Sequence, residues 1–244
     1  MPLSPRAAPE DQFGDFSFAF QPIVDIETGT TYSHEALVRG RNGESAGSVL
    51  DGHRARIALF DSICRARALR VASSVGLPGN LNINLLPSVA LDEAFGLAST
   101  LAAARRERFS PERIIVEATE VDLIGDPAHF AGVLNQYRRA GIRFAIDDFG
   151  AGYSGLSLLA EFQPDMVKLD MRLVRNIHSH GPRQSIVRAI RQVCLDLGMD
   201  LVAEGVETVE EFRWFAGLGV HLFQGYLFGQ PLFEGTPEFV IPDR

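Results

Sequence analysis

Seven apolar stretches of the sequence each lead into a polar side chain that can bind an ion or move a proton. A carboxylate buried beside such a stretch is costly unless it is paired or binds a cation. Five carboxylates gathered in one place would also raise one another's pKa, so a multivalent cation is their natural partner. The side chains are Glu35, Asn84, Glu117, Asp147, Asp148, Lys168, Glu204 and Gln224.

The chemical types of these candidate ligands indicate which metal they would bind. They are oxygen donors without histidine or cysteine, which favours a hard ion, Mg²⁺ or Mn²⁺, over zinc. Asp147 and Asp148 are adjacent, and consecutive carboxylates at a strand end can bridge two ions about 4 Å apart, as in phosphodiester hydrolysis. The alternative for Asp148 alone is a helix cap or an Asx-turn.

Two cationic side chains accompany the carboxylates. The chain has 22 arginines and a single lysine, Lys168, and a compact ammonium differs chemically from a planar guanidinium. We expect Lys168 to hold the attacking water or a phosphate oxygen, with chance retention at the surface as the alternative. Arg39, four residues after Glu35, would bind a phosphate through two parallel hydrogen bonds or remain exposed. The histidines, His34 among them, are expected to be structural or solvated.

The segment that follows Asp148 is rich in glycine. Residues 149 to 155 include three glycines around Tyr153, so we expect a loop that can move and approach a ligand closely. Glu120, three residues past Glu117, would hold this loop by accepting its backbone N–H groups, or would be a carboxylate at a helix start.

Apolar β-branched runs that alternate with segments of helical period must position these residues. A Thr-Gly turn at residues 27 to 30 joins the first two strands as a hairpin. The predicted strands cover residues 16 to 25, 30 to 39, 81 to 85, 114 to 118, 142 to 146, 165 to 169, 200 to 203 and 220 to 223. The predicted helices cover residues 54 to 76, 89 to 106, 128 to 140, 154 to 161, 183 to 197 and 207 to 217.

This order of elements defines the fold class. Repeated strand-helix units favour parallel strands, and eight strands in about 250 residues fit an α/β fold, a modified TIM (β/α)8 barrel with one antiparallel strand. A doubly wound open sheet is the alternative, although no glycine-rich nucleotide fingerprint follows an early strand. The carboxyl ends of barrel strands form the active site, and the candidate residues all fall at those ends.

Composition argues against several classes of protein. The net charge of −8 disfavours a nucleic acid polymer as partner, and no apolar run reaches the roughly 20 residues of a membrane span. Cys64 and Cys194 lack C-x-x-C spacing, so we expect buried thiols rather than a disulfide or a zinc site. Residues 1 to 15 lack a secretory signal. We expect them to be a flexible tail before one domain at residues 16 to 244, in the cytoplasm.

The motifs around the candidate residues resemble those of the EAL-domain family, cyclic di-GMP phosphodiesterases named after the tripeptide seen here at residues 35 to 37. The resemblance covers about residues 16 to 235. In chain order the motifs are QPIVD, EALVRG, INLLP, EATE, IDDFGAGYS, PDMVKLD, AEGVET and QGYLFGQP. The resemblance implies a barrel with one antiparallel strand, and a reaction that opens one phosphodiester bond of cyclic di-GMP to give linear pGpG.

The resemblance also implies roles for individual residues. The implied metal ligands, for two ions that share Asp147, are Glu35, Asn84, Glu117, Asp147, Asp148 and Glu204. The implied catalytic residues are Glu35, Lys168, Glu204 and Asp148. The implied substrate-binding residues are Gln21, Leu37, Arg39, Asp170 and Gln224. The implied residues of the supporting loop and rim are Glu120, Phe149, Gly150 and Glu207.

Two positions depart from the family pattern. Arg39 is followed by Gly40 where many members carry tryptophan, and Asn84 is followed by Leu-Leu-Pro where many have a small hydroxyl residue. The contacts to the guanines are therefore less constrained by the resemblance than the metal site. No expected metal ligand is missing, which separates the chain from degenerate members that only bind the nucleotide or a protein.

Two other functions compete with hydrolysis. A catalytically weak cyclic di-GMP receptor or protein-interaction module needs no activated water, so the presence of Lys168, Asp148 and Glu204 weighs against it. A metal-dependent barrel lyase or aldolase would use Lys168 as a Schiff-base amine. The family implies a homodimer, and we expect regulation through self-association or a partner protein.

Overall fold

The computed structural model of the chain describes residues 13, 15–92, 94–119, 127–152, 155–161 and 163–243, and structural statements here refer to those residues. For residues 127–129 and 155 only the backbone is described. The strands are β1 (Phe16–Asp25), β2 (Thr30–Gly40), β3 (Asn80–Asn84), β4 (Ile114–Thr119), β5 (Arg143–Phe149), β6 (Met166–Leu169), β7 (Asp200–Ala203), β8 (Leu222–Gln224) and β9 (Leu232–Phe233).

Helices connect the strands and cover the outside of the sheet. The α-helices in the described part of the chain are α1 (Ala46–Asp51), α2 (Ile57–Ser74), α3 (Pro87–Ala90), α4 (Leu97–Arg106), α5 (Pro127–Arg139), α6 (Gly155–Glu161), α7 (Met171–Val174), α8 (Gly181–Leu197) and α9 (Val209–Gly217). Across the described residues, we find no helix that combines the length and the apolar character of a membrane span.

The sheet closes on itself as a barrel. Its strand order is β2-β3-β4-β5-β6-β7-β8-β1-β9, and an additional pairing of β1 with β2 completes the ring. β1 is antiparallel to both β2 and β8, whereas consecutive strands from β2 to β8 are parallel. The predicted modified TIM barrel with one antiparallel strand is therefore confirmed. The open-sheet alternative is wrong, because the hairpin of β1 and β2 joins the two edges that an open sheet would leave free.

The helices differ from the predicted pattern most clearly after β3. The predicted helix at residues 89 to 106 is two helices, α3 and α4. Proline starts α3 at Pro87, and the side chain of Asp92 accepts the N–H groups of Ala94 and Phe95 at 2.8 and 2.9 Å. These bonds form an Asx-type turn that interrupts the helical period. The short elements α1, α3, α7 and β9 carry too few residues for a periodic signal.

One residue ahead of β1 packs against the rest of the structure. Residues 1–12 and 14 of the expected tail lie outside the described residues, but Phe13 is 1% exposed. Its ring packs against those of His53 and Phe60, and the guanidinium of Arg56 lies 4.4 Å from the ring centroid. The packed part of the chain therefore begins before β1.

Candidate metal centre

The interior of the barrel changes from apolar to polar along its axis. Alternate residues of a strand face the same side, so an apolar residue inside the barrel predicts another inward residue two positions away. One apolar cluster consists of Ile23, Ile115, Ala145, Met166, Val202 and Leu222. Each of these residues has a polar residue two positions away, toward the end of the barrel where the parallel strands have their carboxyl ends. In the antiparallel β1 that direction runs toward lower residue numbers. The polar residues are Gln21, Glu117, Asp147, Lys168, Glu204 and Gln224. The polar layer therefore rests directly on a packed apolar layer.

Lys168 lies at the centre of this polar layer and is buried. Its Nζ lies 2.6 Å from a carboxylate oxygen of Glu204 and 3.0 Å from one of Asp147. It lies 3.0 Å from a carboxylate oxygen of Glu117 and 3.3 Å from one of Glu35. One ammonium group is thus surrounded by four carboxylates that come from β2, β4, β5 and the end of β7.

The carboxylates form two overlapping triads that share Asp147. Oxygens of Glu35, Glu117 and Asp147 lie within 4.8 Å of one another, as do oxygens of Asp147, Asp148 and Glu204. Two oxygens bound to one Mg²⁺ lie at most about 4.2 Å apart, so small side-chain movements would bring the three oxygens of each triad onto one cation. Asp147, the residue common to both triads, is also the one that the resemblance implies is shared by two ions, and its neighbour Asp148 belongs to the second triad.

The electrostatics show that one ammonium does not balance this cluster. Burial would lower the pKa of Lys168, but the surrounding carboxylates raise it well above its ordinary value. Burial raises the pKa of Glu117 to about 8, with Glu35 and Asp147 adding to the rise and Lys168 opposing it. Burial, followed by the charge of Asp147, also holds the pKa of Glu204 well above its usual range. The cluster lacks positive charge.

A buried oxygen without a partner tests whether a cation fits this place. Asn82 donates a hydrogen bond to Oε1 of Glu117 at 2.6 Å, whereas Oε2 of the same carboxylate is buried and accepts no hydrogen bond from the described residues. An unsatisfied buried carboxylate oxygen is costly, and a divalent ion would satisfy it. The donor set of the two triads is oxygen only, so the residues present fit Mg²⁺ or Mn²⁺.

Asn84 lies at the solvent-facing edge of this cluster. It ends β3, pairs with Glu117 in the β3–β4 register and is exposed. Both residues line a cavity of about 320 Å³ beside the carboxylates. Asn82, which orients Glu117 from below, was not identified from the sequence. The sequence feature that could have identified Asn82 is its two-residue spacing from Asn84, which places both amides on the same face of β3.

Two glutamines orient Glu35 from the neighbouring strands. Gln224 on β8 donates to Oε2 of Glu35 at 2.7 Å and to Oε1 of Gln21 at 3.2 Å. Gln21 on β1 donates in turn to the carbonyl of Gly229 at 3.4 Å. Gln224 therefore orients the carboxylate of Glu35, and Gln21 supports Gln224; the substrate contacts that the resemblance implies for both residues stay a prediction.

The end of β5 and the loop that follows it have an unusual backbone conformation. Asp148 has a φ of 52°, and partial burial, followed by the charges of Asp147 and Asp170, raises its pKa to about 6. Gly150 has a φ of 94°, and a Cβ added there would overlap the side chain of Leu173. The chain therefore adopts a left-handed residue next to the last residue of β5, and it then passes close to α7 at Gly150, a path that glycine permits.

Other residues implied by the resemblance lie at the rim or beneath it. Phe149 is buried. Asp170 caps the N-terminus of α7 and accepts from the backbone N–H of Arg172 at 2.7 Å. Leu37 lines the 320 Å³ cavity. Glu120 lies outside the described residues.

The two remaining rim residues make local contacts in the structure. Arg39 is half-buried and donates to the carbonyl of Val38 at 2.8 Å. Glu207 is exposed and forms an ion pair with Arg175. Neither side chain reaches the two triads through a contact in the described structure.

A second cavity borders other residues of the carboxylate cluster. Its volume is about 270 Å³, and its wall includes Asp148, Glu204 and Gln224 together with the exposed ring of Tyr226. The larger cavity contacts the first triad through Glu117, and this smaller one contacts the second triad. The candidate metal centre therefore borders two open spaces.

The chain belongs to the EAL domain family. The family model matches residues 6–231, which confirms the resemblance. Among curated relatives, the chain is similar to the blue light- and temperature-regulated antirepressor BluF of Escherichia coli, with 37% identity over 230 residues. It is also similar to the cyclic di-GMP phosphodiesterase RocR of Pseudomonas aeruginosa, with 32% identity over 234 residues.

These relatives are longer than the chain. The matched regions cover 93% of this chain and 57% of BluF, and 91% of this chain and 58% of RocR. The chain thus spans somewhat more than half the length of these relatives.

Solved structures share the same barrel. A standalone EAL protein from Vibrio cholerae in its c-di-GMP-bound form matches with a TM-score of 0.86 and 43% identity, covering 93% of this chain and 96% of that one. BlrP1 from Klebsiella pneumoniae, in a complex with manganese and cyclic di-GMP, matches with a TM-score of 0.88 and 39% identity, covering 97% of this chain and 60% of that one.

Proposed function

We propose that this protein hydrolyses cyclic di-GMP to linear pGpG with the help of two Mg²⁺ or Mn²⁺ ions. The observation that carries the proposal is the pair of carboxylate triads that share Asp147, with Lys168 between them. A receptor that only binds a nucleotide needs no such concentration of unbalanced negative charge. The similar relative named a cyclic di-GMP phosphodiesterase and the manganese complex of a similar EAL protein support metal-dependent hydrolysis.

The two cavities suit the shape of this substrate. Cyclic di-GMP has two guanosines joined by two phosphodiesters, so a centre that cleaves one phosphodiester needs room for bases on both sides. The larger cavity is lined mostly by apolar side chains such as Leu37 and Leu86, and the smaller one contains Tyr226. Apolar and aromatic walls are the surfaces on which bases pack.

In this reaction one molecule of water adds across one P–O bond. Its oxygen joins phosphorus, and its protons end on the released ribose oxygen and in solution. Bound divalent ions would lower the pKa of water and neutralise charge on the phosphate oxygens. Glu35, Glu117 and Asp147 would hold one ion with the amide of Asn84, and Asp147, Asp148 and Glu204 would hold the other.

Lys168 has a separate task in the proposed reaction. Its ammonium group is a three-donor point charge, fixed within 3.3 Å of four carboxylates. Once ions neutralise those carboxylates, its N–H groups are free to donate to the attacking water or a phosphate oxygen. Gln224 keeps Glu35 aligned through the 2.7 Å hydrogen bond. Arg39, half-buried at the rim, would contact the second phosphate.

Incubation of the purified protein with cyclic di-GMP and Mn²⁺, followed by chromatography of the nucleotides, tests the proposal. We expect pGpG to accumulate, and a chelator to abolish the reaction. Glu35→Gln should lower the rate by about 100-fold or more, because it removes a ligand charge from the metal centre. Glu210→Gln removes a charge from an exposed position on α9 and should leave the rate unchanged. Intact substrate under conditions where it binds would overturn the proposal.

A nucleotide-responsive interaction module is the second candidate, because a similar relative, BluF, is named as an antirepressor. Equilibrium binding of cyclic di-GMP in Ca²⁺, measured beside turnover in Mn²⁺, separates the two functions. Tight binding with negligible turnover would favour the module. A homodimer and a regulatory partner protein stay predictions, and sedimentation of the purified chain with and without nucleotide tests the first of them.

A further inference from the structure

A buried ion pair lies on α2, outside the carboxylate cluster. Asp61 is 8% exposed and Arg65 is 1% exposed, and their side chains pair one helical turn apart. Buried ion pairs are weak evidence for stability, because desolvation of the two charges offsets their attraction. The pair is therefore better explained by what its remaining hydrogen bonds hold in place.

Arg65 fastens the pair to the beginning of α4. Its Nε donates to Oγ1 of Thr100 at 3.0 Å, and its Nη2 donates to the carbonyl of Phe95 and to Oγ of Ser99. Thr100 is itself 1% exposed. Every one of these contacts fixes the guanidinium, so the carboxylate of Asp61 is held at a defined position and angle.

The other oxygen of Asp61 reaches the turn that carries Asn84. Oδ1 of Asp61 accepts a hydrogen bond from the backbone N–H of Leu86 at 3.3 Å. The preceding N–H, that of Leu85, donates to the carbonyl of Glu117 on β4 at 2.8 Å. The turn immediately after Asn84 is therefore held on one side by β4 and on the other by α2.

We propose that Asp61 is a positioning residue for the amide ligand Asn84 of the metal centre, acting through the N–H of Leu86. The inference rests on the proposed function only in that Asn84 must bind a metal ion. Asn84 is exposed, so the packing around its own side chain is too sparse to fix it. The position of its backbone must then set where its oxygen lies. Groups that orient metal ligands typically change metal affinity about 10- to 100-fold when they are removed.

Two double variants separate this role from the general cost of a buried charge. Asp61→Asn with Arg65→Met removes both charges but keeps an oxygen that can accept from Leu86. Asp61→Leu with Arg65→Met removes both charges and that oxygen as well. The two variants have the same net charge, and Asn and Leu have the same number of side-chain heavy atoms and the same branching at Cγ, so the variants differ chiefly in the hydrogen bond to the turn.

Mn²⁺ binding to the full chain, measured by calorimetry and by the electron paramagnetic resonance signal of free Mn²⁺, is the readout. We expect the Asn–Met variant to bind Mn²⁺ within about 3-fold of the parent, and the Leu–Met variant about 10-fold or more weakly. A cooperative thermal unfolding transition above the temperature of the binding measurement shows that each variant is folded. A structural role alone would lower the unfolding temperature of both variants without separating their Mn²⁺ affinities.

Equal Mn²⁺ affinity in the two double variants would overturn the inference, and so would a parent protein that binds no Mn²⁺. Failure of the proposed function looks different. The parent would then bind Mn²⁺, the two variants would still differ in affinity, and cyclic di-GMP would remain intact.

A second pair of variants keeps the test decisive if the Leu–Met variant does not fold. Leu86 has a φ of −68°, which suits proline, so Leu86→Pro removes the N–H donor and leaves Asp61 unchanged. Leu86→Ala keeps the donor and truncates the side chain. We expect weaker Mn²⁺ binding in Leu86→Pro alone, and equal binding in both variants would overturn the inference.

Discussion

Lys168 combines two features at the scale of a single residue. It is the only lysine of the chain, and it is buried among four carboxylates of the metal centre. In the absence of ions it is the one cation in contact with all four in the described structure. The proposed divalent ions would satisfy the same carboxylates as the ammonium, and this overlap leads to a prediction that does not depend on catalysis.

Replacement of Lys168 should make the protein depend on metal for stability. Lys168→Met leaves buried carboxylates without their cation, so we expect the metal-free protein to lose about 3 to 5 kcal/mol of unfolding free energy. Saturating Mg²⁺ should recover much of that loss, so that Mg²⁺ stabilises the variant more than the parent. Urea unfolding with Mg²⁺ and with a chelator measures both quantities.

Arg213→Met is the matched control for Lys168→Met. Arg213 is exposed on α9, and its replacement removes the same charge far from the carboxylates. Its Mg²⁺-induced stabilisation should equal that of the parent. Equal stabilisation in all three proteins would contradict the expected overlap between Lys168 and the ions.

The raised pKa of Glu117 predicts the pH dependence of stability in the metal-free protein. Its pKa is about 8 in the folded state, against 4.5 ordinarily, so the folded protein binds this proton more tightly than the unfolded chain does. The free energy of unfolding should therefore fall as the pH rises from about 6.5 to about 8.5.

Urea unfolding in the presence of a chelator checks this dependence. Glu117→Gln carries no titratable group and should weaken the decline with pH. Burial lowers the pKa of His34 to about 4, so His34 contributes an opposite trend, but only below its ordinary pKa of 6.5. A parent protein whose stability is constant or rises between about pH 6.5 and pH 8.5 would contradict the prediction.

At the scale of elements, the end of β8 and the segment after β7 must lie very close together. The N–H of Val206 donates to the carbonyl of Gln224 at 3.1 Å, and the N–H of Leu227 donates to the carbonyl of Val206 at 3.2 Å. A Cβ added at Gly225 would overlap backbone atoms of Val206. This contact holds the segment that carries Glu204 against β8.

Gly225→Ala should therefore separate these two elements. We expect a loss of about 1 to 3 kcal/mol in unfolding free energy from overpacking, and weaker Mn²⁺ binding because Glu204 shifts. Gly132→Ala is the control, because a Cβ at Gly132 on α5 meets open space. That change should stabilise the protein by about 0.5 to 1 kcal/mol. Urea unfolding of both variants tests the prediction. Equal changes in unfolding free energy would show that the close contact between Gly225 and Val206 does not restrict the side chain at position 225.

Across the whole molecule, the candidate metal centre joins strands that are distant in sequence. The ion pairs of Lys168 connect β2, β4 and β5 with the end of β7. A ligand that binds only when these strands are assembled stabilises the closed barrel as a unit, by about 2.7 kcal/mol at 100 times its dissociation constant.

Two probes should report this stabilisation equally. Far-ultraviolet circular dichroism follows the whole fold, and fluorescence follows Trp214, the only tryptophan, which lies on α9. We expect Mg²⁺ to raise the unfolding midpoints of both probes together. A shift in one probe alone would show that the barrel unfolds in parts and that metal binding stabilises only one of them.

Local residue patterns were enough to predict the strands and the polar side chains at their carboxyl ends. A strand repeats every two residues, so a carboxylate two positions beyond an apolar interior residue must face the same side. The barrel class, the antiparallel first strand and membership in the EAL domain family followed from such local patterns and motifs. These features depend on neighbouring residues, which the sequence shows directly.

The contacts across the barrel, in contrast, come from the folded structure. Lys168 contacts Glu35 from 133 residues away, and the hydrogen bond of Asp61 to the turn after Asn84 joins a helix to a distant strand end. Asn82 became part of the site because β3 and β4 pair in one register. Closure of the barrel sets these distances, and closure depends on packing and long-range pairing that no local periodicity encodes.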